Sequence, residues 1–317
     1  MDLFVSIIIP FKKFNSFVEE CVQYCNSLDY SNYEVILLPD EDEKKQFPKV
    51  IIHPTGDIGP SEKRNIGMKI AKGEILAMLD DDAYPVSQWL KKAVQNFADP
   101  EVAAVGGPAV TPDSDDFMQK ASGLVYSSIM ASGEYTYRYL PKARREVDDY
   151  PTCNLIIRRS VLEEIGGFDK KYWPGEDTII CLKITKELHK KIIYDPKVFV
   201  YHHRRRLFLS HLKQVASYAQ HRGNFVKKFP ETSAKLSYFI PSFFVLWLII
   251  GFILSVFVSQ ITIVYQIILA VYLLLLLFFT SFTNLRLYLI TMLGIYITHF
   301  TYGVYFLIGL FTRELKR

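Results

Sequence analysis

Between Leu236 and Leu285 the chain has 50 residues without a single aspartate, glutamate, lysine or arginine. A bilayer crossing needs roughly 20 apolar residues, so this tail can cross a membrane at least twice. Cysteine is scarce. The four present, Cys21, Cys25, Cys153 and Cys181, form no C-x-x-C pair, which leaves neither a disulfide frame nor a zinc site. Cys21 and Cys25 stand one helical turn apart and read as part of a buried apolar stripe. No secretory leader is evident, because MDLFVSIIIP is too short and runs straight into an amphipathic segment. Residues 1–235 are therefore expected to stay on the cytoplasmic side. No internal repeat or low-complexity linker appears outside the tail, and no nucleic-acid recognition motif accompanies the basic residues.

Charge is present but segregated. The formal net charge is +4, of which residues 1–235 contribute only +1. Within them, Lys197 to Lys228 holds eight lysines and arginines and no acid. A basic block beside a hydrophobic tail suits anionic lipid headgroups or a phosphate-bearing substrate better than nucleic acid.

Short continuous apolar runs recur through the first half. VSIIIP (5–10), EVILLPD (34–40), KVIIHP (49–54), EILAML (74–79) and VAAVGGP (102–108) have the β-branched character of strands buried on both faces. Helical segments fall between them. One is capped by Asn15 or Ser16 and runs to about Ser27, one is capped by Ser61 and runs to about Ala71, and one spans Val86–Phe97. This alternation predicts a parallel, doubly wound α/β sheet. Farther on, NLIIRR (154–159) precedes a helix starting at Ser160, Glu176 to Lys190 reads as a helix, and 191–206 as two short strands. In residues 207–235, Phe208, Leu212, Val215 and Ala219 share a helical face opposite His211, Gln214, Gln220 and His221. That pattern describes a basic amphipathic helix suited to the membrane interface.

The fourth apolar run ends in Asp80, Asp81 and Asp82. Adjacent carboxylates repel and raise one another's pKa unless a cation sits among them. In doubly wound sheets ligands bind beyond the carboxyl ends of the strands, which is where Asp40 and the three aspartates fall. They are expected to share one crevice.

Taken in order, VSIIIP, EVILLPD, SEKRNIGMKIAKGEILAMLDDD, NLIIRR, GGFD, GEDTIICLKI and VYHHRR resemble the family 2 glycosyltransferases of the GT-A fold, over about residues 3–225. The hydrophobic tail is similar to that of membrane-bound members that build lipid-linked saccharides or exopolysaccharide. The resemblance implies a GT-A catalytic domain over 1–206, an amphipathic basic juxtamembrane segment over 207–235, and a membrane domain over 236–317. It implies a nucleotide-sugar donor and a Mg²⁺ or Mn²⁺ ion held by the D-x-D residues Asp80 and Asp82, with His202, or else His203, as a third ligand. Asp80 would also face the ribose, and Asp81 is the variable position. Asp40 matches the acid that reads the nucleotide base, although Leu38-Pro39-Asp40-Glu41 departs from the usual two acids followed by Gly and Ser. Pro10 and Phe11 would form a wall of the base pocket. Arg64 and Asn65 would contact the nucleotide, one of Arg158 and Arg159 would line the cleft, and Arg222 would clamp the donor diphosphate or meet a lipid headgroup. The E-D pair makes Asp177 the general base of an inverting transfer, with Glu176 orienting loop and acceptor.

The acceptor implied is a polyprenyl phosphate or a lipid-linked saccharide, in cell-envelope polysaccharide or glycan synthesis, and membrane lipid is the other partner. Three alternatives are weighed. A sugar-nucleotide pyrophosphorylase needs a glycine-rich loop that IIIPFKKF lacks. A processive polysaccharide synthase usually carries Q-x-x-R-W, and no tryptophan lies between Trp173 and Trp247. A non-catalytic adaptor would not be expected to keep Asp80, Asp82 and Asp177. In the tail, Ile240–Val258 and Ile261–Phe279 read as a hairpin of two spans. Leu287–Phe311 is either a third span or a re-entrant or interfacial helix; a third span would put Arg313, Lys316 and Arg317 outside, against the positive-inside tendency.

Overall fold

The computed structural model describes residues 2–42 and 45–315; Lys316 and Arg317, two of the cations on which the positive-inside tendency bears, lie outside the described residues. The chain divides into two compact units, one of residues 1–112 and 140–203, the other of 113–139 and 204–317.

The first unit is built on an eight-stranded sheet. Its strands are β1 (Val5–Pro10), β2 (Tyr33–Leu38), β3 (Val50–Ile52), β4 (Ile75–Leu79), β6 (Val102–Gly106), β8 (Arg145–Val147), β9 (Asn154–Arg158) and β10 (Lys191–Tyr194), in the order β3-β2-β1-β4-β9-β6-β10-β8. The apolar runs of β1, β2, β4 and β6 are buried along their whole length. β1 lies parallel to β2 and β4, as the strand–helix alternation predicts, but β9 runs antiparallel to both β4 and β6. A smaller sheet orders β5 (Ala83–Pro85), β11 (Val200–His202) and β7 (Ala109–Val110).

Helices α1 (Ser16–Asn26), α2 (Pro60–Ile70), α3 (Trp89–Asn96), α6 (Arg159–Glu164) and α7 (Glu176–Leu182) complete this unit. Asn15 caps α1 by accepting from the Phe17 and Val18 amides. Ser61 is not a cap. It lies in the first turn of α2, which Pro60 opens with its preset φ. The helix expected over 176–190 is α7 followed by a π turn over Lys183–Glu187.

The second unit is helical. It contains α4 (Phe117–Ser127), α5 (Ile129–Ser132), α8 (Leu209–Lys228) and α9 (Pro230–Ser233). Then come three apolar helices long enough to span a membrane. The first is α10 (Leu236–Leu246), continued through a π turn to α11 (Phe252–Phe257). The others are α12 (Ser259–Phe279) and α13 (Leu285–Phe311). The face expected to be polar on α8 is partly inverted. His211 is fully buried, its Nδ1 2.8 Å from Ser122 Oγ and its Nε2 3.0 Å from Thr298 Oγ1. Two hydroxyls satisfy the ring, which is what lets a polar side chain occupy the packed face. Burial holds its pKa down at about 4.

Candidate functional site

The carboxyl ends of β1, β2 and β4 lie side by side, because Pro10 pairs with Leu38 and β1 is in register with β4. Asp40 and the Asp80–Asp82 turn therefore leave the sheet along one edge. Lys63 on α2 ties that edge together. Its buried ammonium donates to the Phe11 carbonyl at 2.6 Å and the Leu38 carbonyl at 3.1 Å, and it pairs with Asp40. Nothing in the sequence reading singled out Lys63. The signal that could have found it is a lysine in the helix beginning right beside two strand ends whose carbonyls need donors. Pro10 is buried, and the buried Phe11 ring packs edge to face on Phe14, with centroids 5.4 Å apart.

Arg64, the next residue on α2, is the centre of the site. One terminal nitrogen donates to Glu176 Oε1 at 2.8 Å and the other to Asp80 Oδ1 at 3.1 Å. Its guanidinium also lies 5.7 Å from the centroid of the Phe168 ring. Arg64 and Glu176 side chains are each only 5% exposed. This three-residue bridge ties the start of α7 to the end of β4, 96 positions apart in sequence. Glu176 Oε2 also accepts from the Gly175 amide at 3.0 Å, so its carboxylate is held at both oxygens. The Asp177 carboxylate lies in the first turn of α7 and accepts from the Thr178 amide at 2.8 Å, where the helix dipole favours negative charge. Asn65 was expected at the nucleotide. Its amide instead brackets Phe168, donating to that carbonyl and accepting from that amide, both at 2.8 Å. The turn there depends on Gly167, which has φ +75° and would place a Cβ 2.6 Å from Asn65 Oδ1.

The smaller sheet supplies the histidine. β11 runs antiparallel to β5 with His202 opposite Ala83, and the His203 amide donates to the Asp82 carbonyl at 2.9 Å. Alternation then separates the two imidazoles. His202 Nε2 lies 3.0 Å from Asp82 Oδ1, whereas His203 Nε2 lies 2.7 Å from Glu20 and its ring packs on Phe17 and Tyr84. One ligand atom each from Asp80, Asp82 and His202 come within 4.8 Å of one another. Two carboxylate oxygens and an imidazole nitrogen make a donor set that suits a divalent cation. Asp81 reports the local field: burial first, then the charges of Asp82 and Asp80, push its carboxyl up to about 7. A cation would relieve that crowding, so the residues fit a metal.

Two of the expected arginines, Arg158 and Arg159, lie away from this edge. Neither Arg158 nor Arg159 lines the cleft. Because β9 is antiparallel, Arg158 stands opposite Ile75, at the far end of β4. There it donates to the carbonyls of Val102, Phe97 and Asp99, while Arg159 bonds Ala71, Met68 and Glu163. Asn154, at the other end of β9, opposite Leu79, is a buried hub between Trp89, Gly107 and Val198. Arg222 belongs to the second unit, where its guanidinium lies 4.9 Å from the Tyr238 ring centroid and 3.4 Å from Ser233 Oγ.

Residues 6–166 match the family model described as Glycosyl transferase family 2. Among curated proteins, the chain is 25% identical over 188 residues to a pre-mycofactocin glycosyltransferase of Mycobacterium tuberculosis, covering 59% of this chain but 39% of that protein. It is 24% identical over 224 residues to a glucosyl-dolichyl phosphate glucuronosyltransferase of Haloferax volcanii, covering 62% of this chain and 68% of that one. Among solved structures, a mannosyltransferase of Pyrobaculum calidifontis in complex with GDP-mannose and Mn²⁺ superposes with a TM-score of 0.54 at 20% identity, over 70% of this chain and 63% of that one. Likeness at this level establishes a shared GT-A fold.

Proposed function

Because the chain belongs to glycosyl transferase family 2, we propose that its α/β unit is a metal-dependent, inverting glycosyltransferase. It would move a sugar from a nucleotide-sugar donor to a membrane-associated acceptor, a polyprenyl phosphate or a lipid-linked saccharide. The observation that carries this reading is the Asp80–Arg64–Glu176 bridge, which joins the cation-binding carboxylates to the helix that presents Asp177.

Asp80, Asp82 and His202 would hold Mg²⁺ or Mn²⁺, which as a Lewis acid stabilises charge on a departing diphosphate. Arg64 neutralises part of the field of Asp80 and holds it in place. Asp40, fixed by Lys63 just past the end of β2, would read the base. Glu176, locked by Arg64 and the Gly175 amide, positions the start of α7. Asp177 then accepts the proton of an acceptor hydroxyl as its oxygen attacks the anomeric carbon opposite the diphosphate, with inversion. A lipid phosphate acceptor arrives already ionised and asks less of this base. The lipid acceptor is supported by the three long apolar helices and by a relative named for a dolichyl phosphate glycoconjugate. In this reading the α/β unit faces the cytoplasm.

The test is transfer by the detergent-solubilised full chain from a panel of nucleotide sugars to polyprenyl phosphate, with Mn²⁺, with Mg²⁺ and after EDTA. We expect nucleotide release that requires both the metal and the lipid acceptor. Full turnover in EDTA overturns the metal assignment, and exclusive use of soluble sugars overturns the acceptor.

A further inference from the structure

The three apolar helices of the second unit are not equivalent. α12 and the helix formed by α10 and α11 are strongly apolar and mostly exposed, whereas α13 is less apolar and more buried. Part of its burial is against polar groups. α8 runs alongside it in the same direction: His211 meets Thr298 at 3.0 Å, and thirteen positions on, Asn224 donates to the Thr312 carbonyl at 2.8 Å. That is about 20 Å of helix. The backbones touch along the way, since a Cβ on Gly309 would fall 2.0 Å from the Gln220 carbonyl oxygen and one on Gly223 2.1 Å from that of Phe306. α8 carries Lys213, Arg222, Lys227 and Lys228 and no acid. On the α4–α5 side, a Cβ on Gly294 would lie 2.8 Å from Val125, and His299 Nε2 meets the Met130 carbonyl at 2.7 Å.

The contacts of α13 with the hairpin fall in its open half, reaching Tyr272 on α12 and Phe244 and Val245 on α10. Tyr288 donates to the Leu277 carbonyl and His299 meets Tyr272 Oη, both in the last turns of α12. Ser242 donates to the Gly303 carbonyl and Phe239 packs on Phe306, both in the first turns of α10. The tip packs on itself, Trp247 against Tyr265 and Thr262 on the Ser255 carbonyl. A third span would run along α12 towards that tip. A helix that touches one end of α12 and then the same end of α10 crosses the hairpin at its base.

We infer that α13 does not cross the bilayer but lies in its surface, with α8 along its aqueous side. Among the described residues, the hairpin of α10–α11 and α12 is then the only part that spans. Were α13 upright, α8 would be drawn through much of a hydrocarbon layer roughly 30 Å thick, taking Lys213 and Arg222 with it. Lying flat, α13 turns the exposed stripe of Leu289, Leu293, Phe300, Ile308 and Phe311 to the acyl chains, while the cations of α8 remain at headgroup level. The occupant of that stripe is the lipid bilayer, because the stripe is continuous with the hairpin that enters it. Residues 1–235 precede the first span, so Arg313 returns to their side.

The inference stands apart from catalysis, and so does its test. The four native cysteines are buried, so a membrane-impermeant maleimide reads single introduced cysteines in sealed vesicles holding the full chain. Lys91→Cys reports the α/β unit, Gln260→Cys the hairpin tip and Arg313→Cys the end of α13. We expect Lys91→Cys and Arg313→Cys to label from one face and Gln260→Cys from the other. Labelling of Arg313→Cys from the Gln260 side overturns the inference. Depth quenching of a fluorophore at Leu289→Cys and at Ile308→Cys gives a second reading. A flat helix puts both at one depth, whereas an upright one separates them by about 28 Å, and a large difference in quenching is equally fatal.

Discussion

Arg64→Met isolates the bridge at the centre of the site. Methionine approximates the aliphatic stem of arginine and removes the charge. Glu176, 5% exposed, then loses the 2.8 Å bond to the Arg64 guanidinium and keeps one amide donor from Gly175. Removing one partner of a buried ion pair costs about 3–5 kcal/mol, mostly through the charge left behind. The second contact adds little, because Asp80 is 31% exposed and water replaces the guanidinium there. With a urea dependence of about 2 kcal/mol per molar for a unit of this size, the unfolding midpoint should fall by about 2 M. Trp89 lies in the core of the α/β unit and Trp173 just before α7, so tryptophan fluorescence in detergent reports the transition. Arg64→Met with Glu176→Gln removes the stranded charge and should recover all but about 1 kcal/mol. A midpoint shift below about 0.3 M in the single variant, or a double variant no more stable than the single, refutes the account.

Four further outcomes follow from the same structure. Asp82→Ala and Asp177→Asn should each abolish transfer, but only Asp177→Asn should keep Mn²⁺-dependent donor binding by calorimetry; equal loss would mean the roles are misassigned. His202→Ala should raise the Mn²⁺ concentration for half-maximal activity about tenfold or more. His203→Ala should leave it unchanged while lowering thermal stability, since that ring serves Glu20. His211 has a folded pKa of about 4 against an ordinary 6.5, so the unfolded chain takes up the proton first. Its stabilising share is complete above pH 6.5 and is lost as pH falls towards 4, about 3 kcal/mol in all; His211→Gln should flatten the stability profile across that window in acid unfolding. Gly309→Ala should cost about 1–3 kcal/mol by prising α13 from the Gln220 backbone, seen as a lower melting point in detergent.

Much of the α/β unit was legible residue by residue. VSIIIP, the EVILL of the second run and ILAML announce fully buried strands because nothing polar interrupts them, and Asn15 announces a cap because its side chain can serve free amides. The charge-free stretch declared long apolar helices for the same reason. The direction of β9 was not legible. NLIIR has the composition of a parallel core strand, and only its neighbours reveal that it runs backwards, carrying Arg158 and Arg159 to the wrong end for a cleft. The role of Lys63 was not legible because a lysine on a helix is ordinarily solvated, and the carbonyls that bury it come from Leu38, ending β2, and Phe11, just past β1, 25 and 52 residues away.

Composition and pattern, then, determined which segments are strands, helices and apolar spans, and placed acids at the ends of β2 and β4, because burial and hydrogen bonding act locally along the chain. The choice of His202 over His203, the Asp80–Arg64–Glu176 bridge and the course of α13 across the base of the hairpin were decided only by tertiary structure. Each depends on the register or direction of elements distant in sequence, and a side chain's neighbours across such a gap are set by packing that no local stretch encodes.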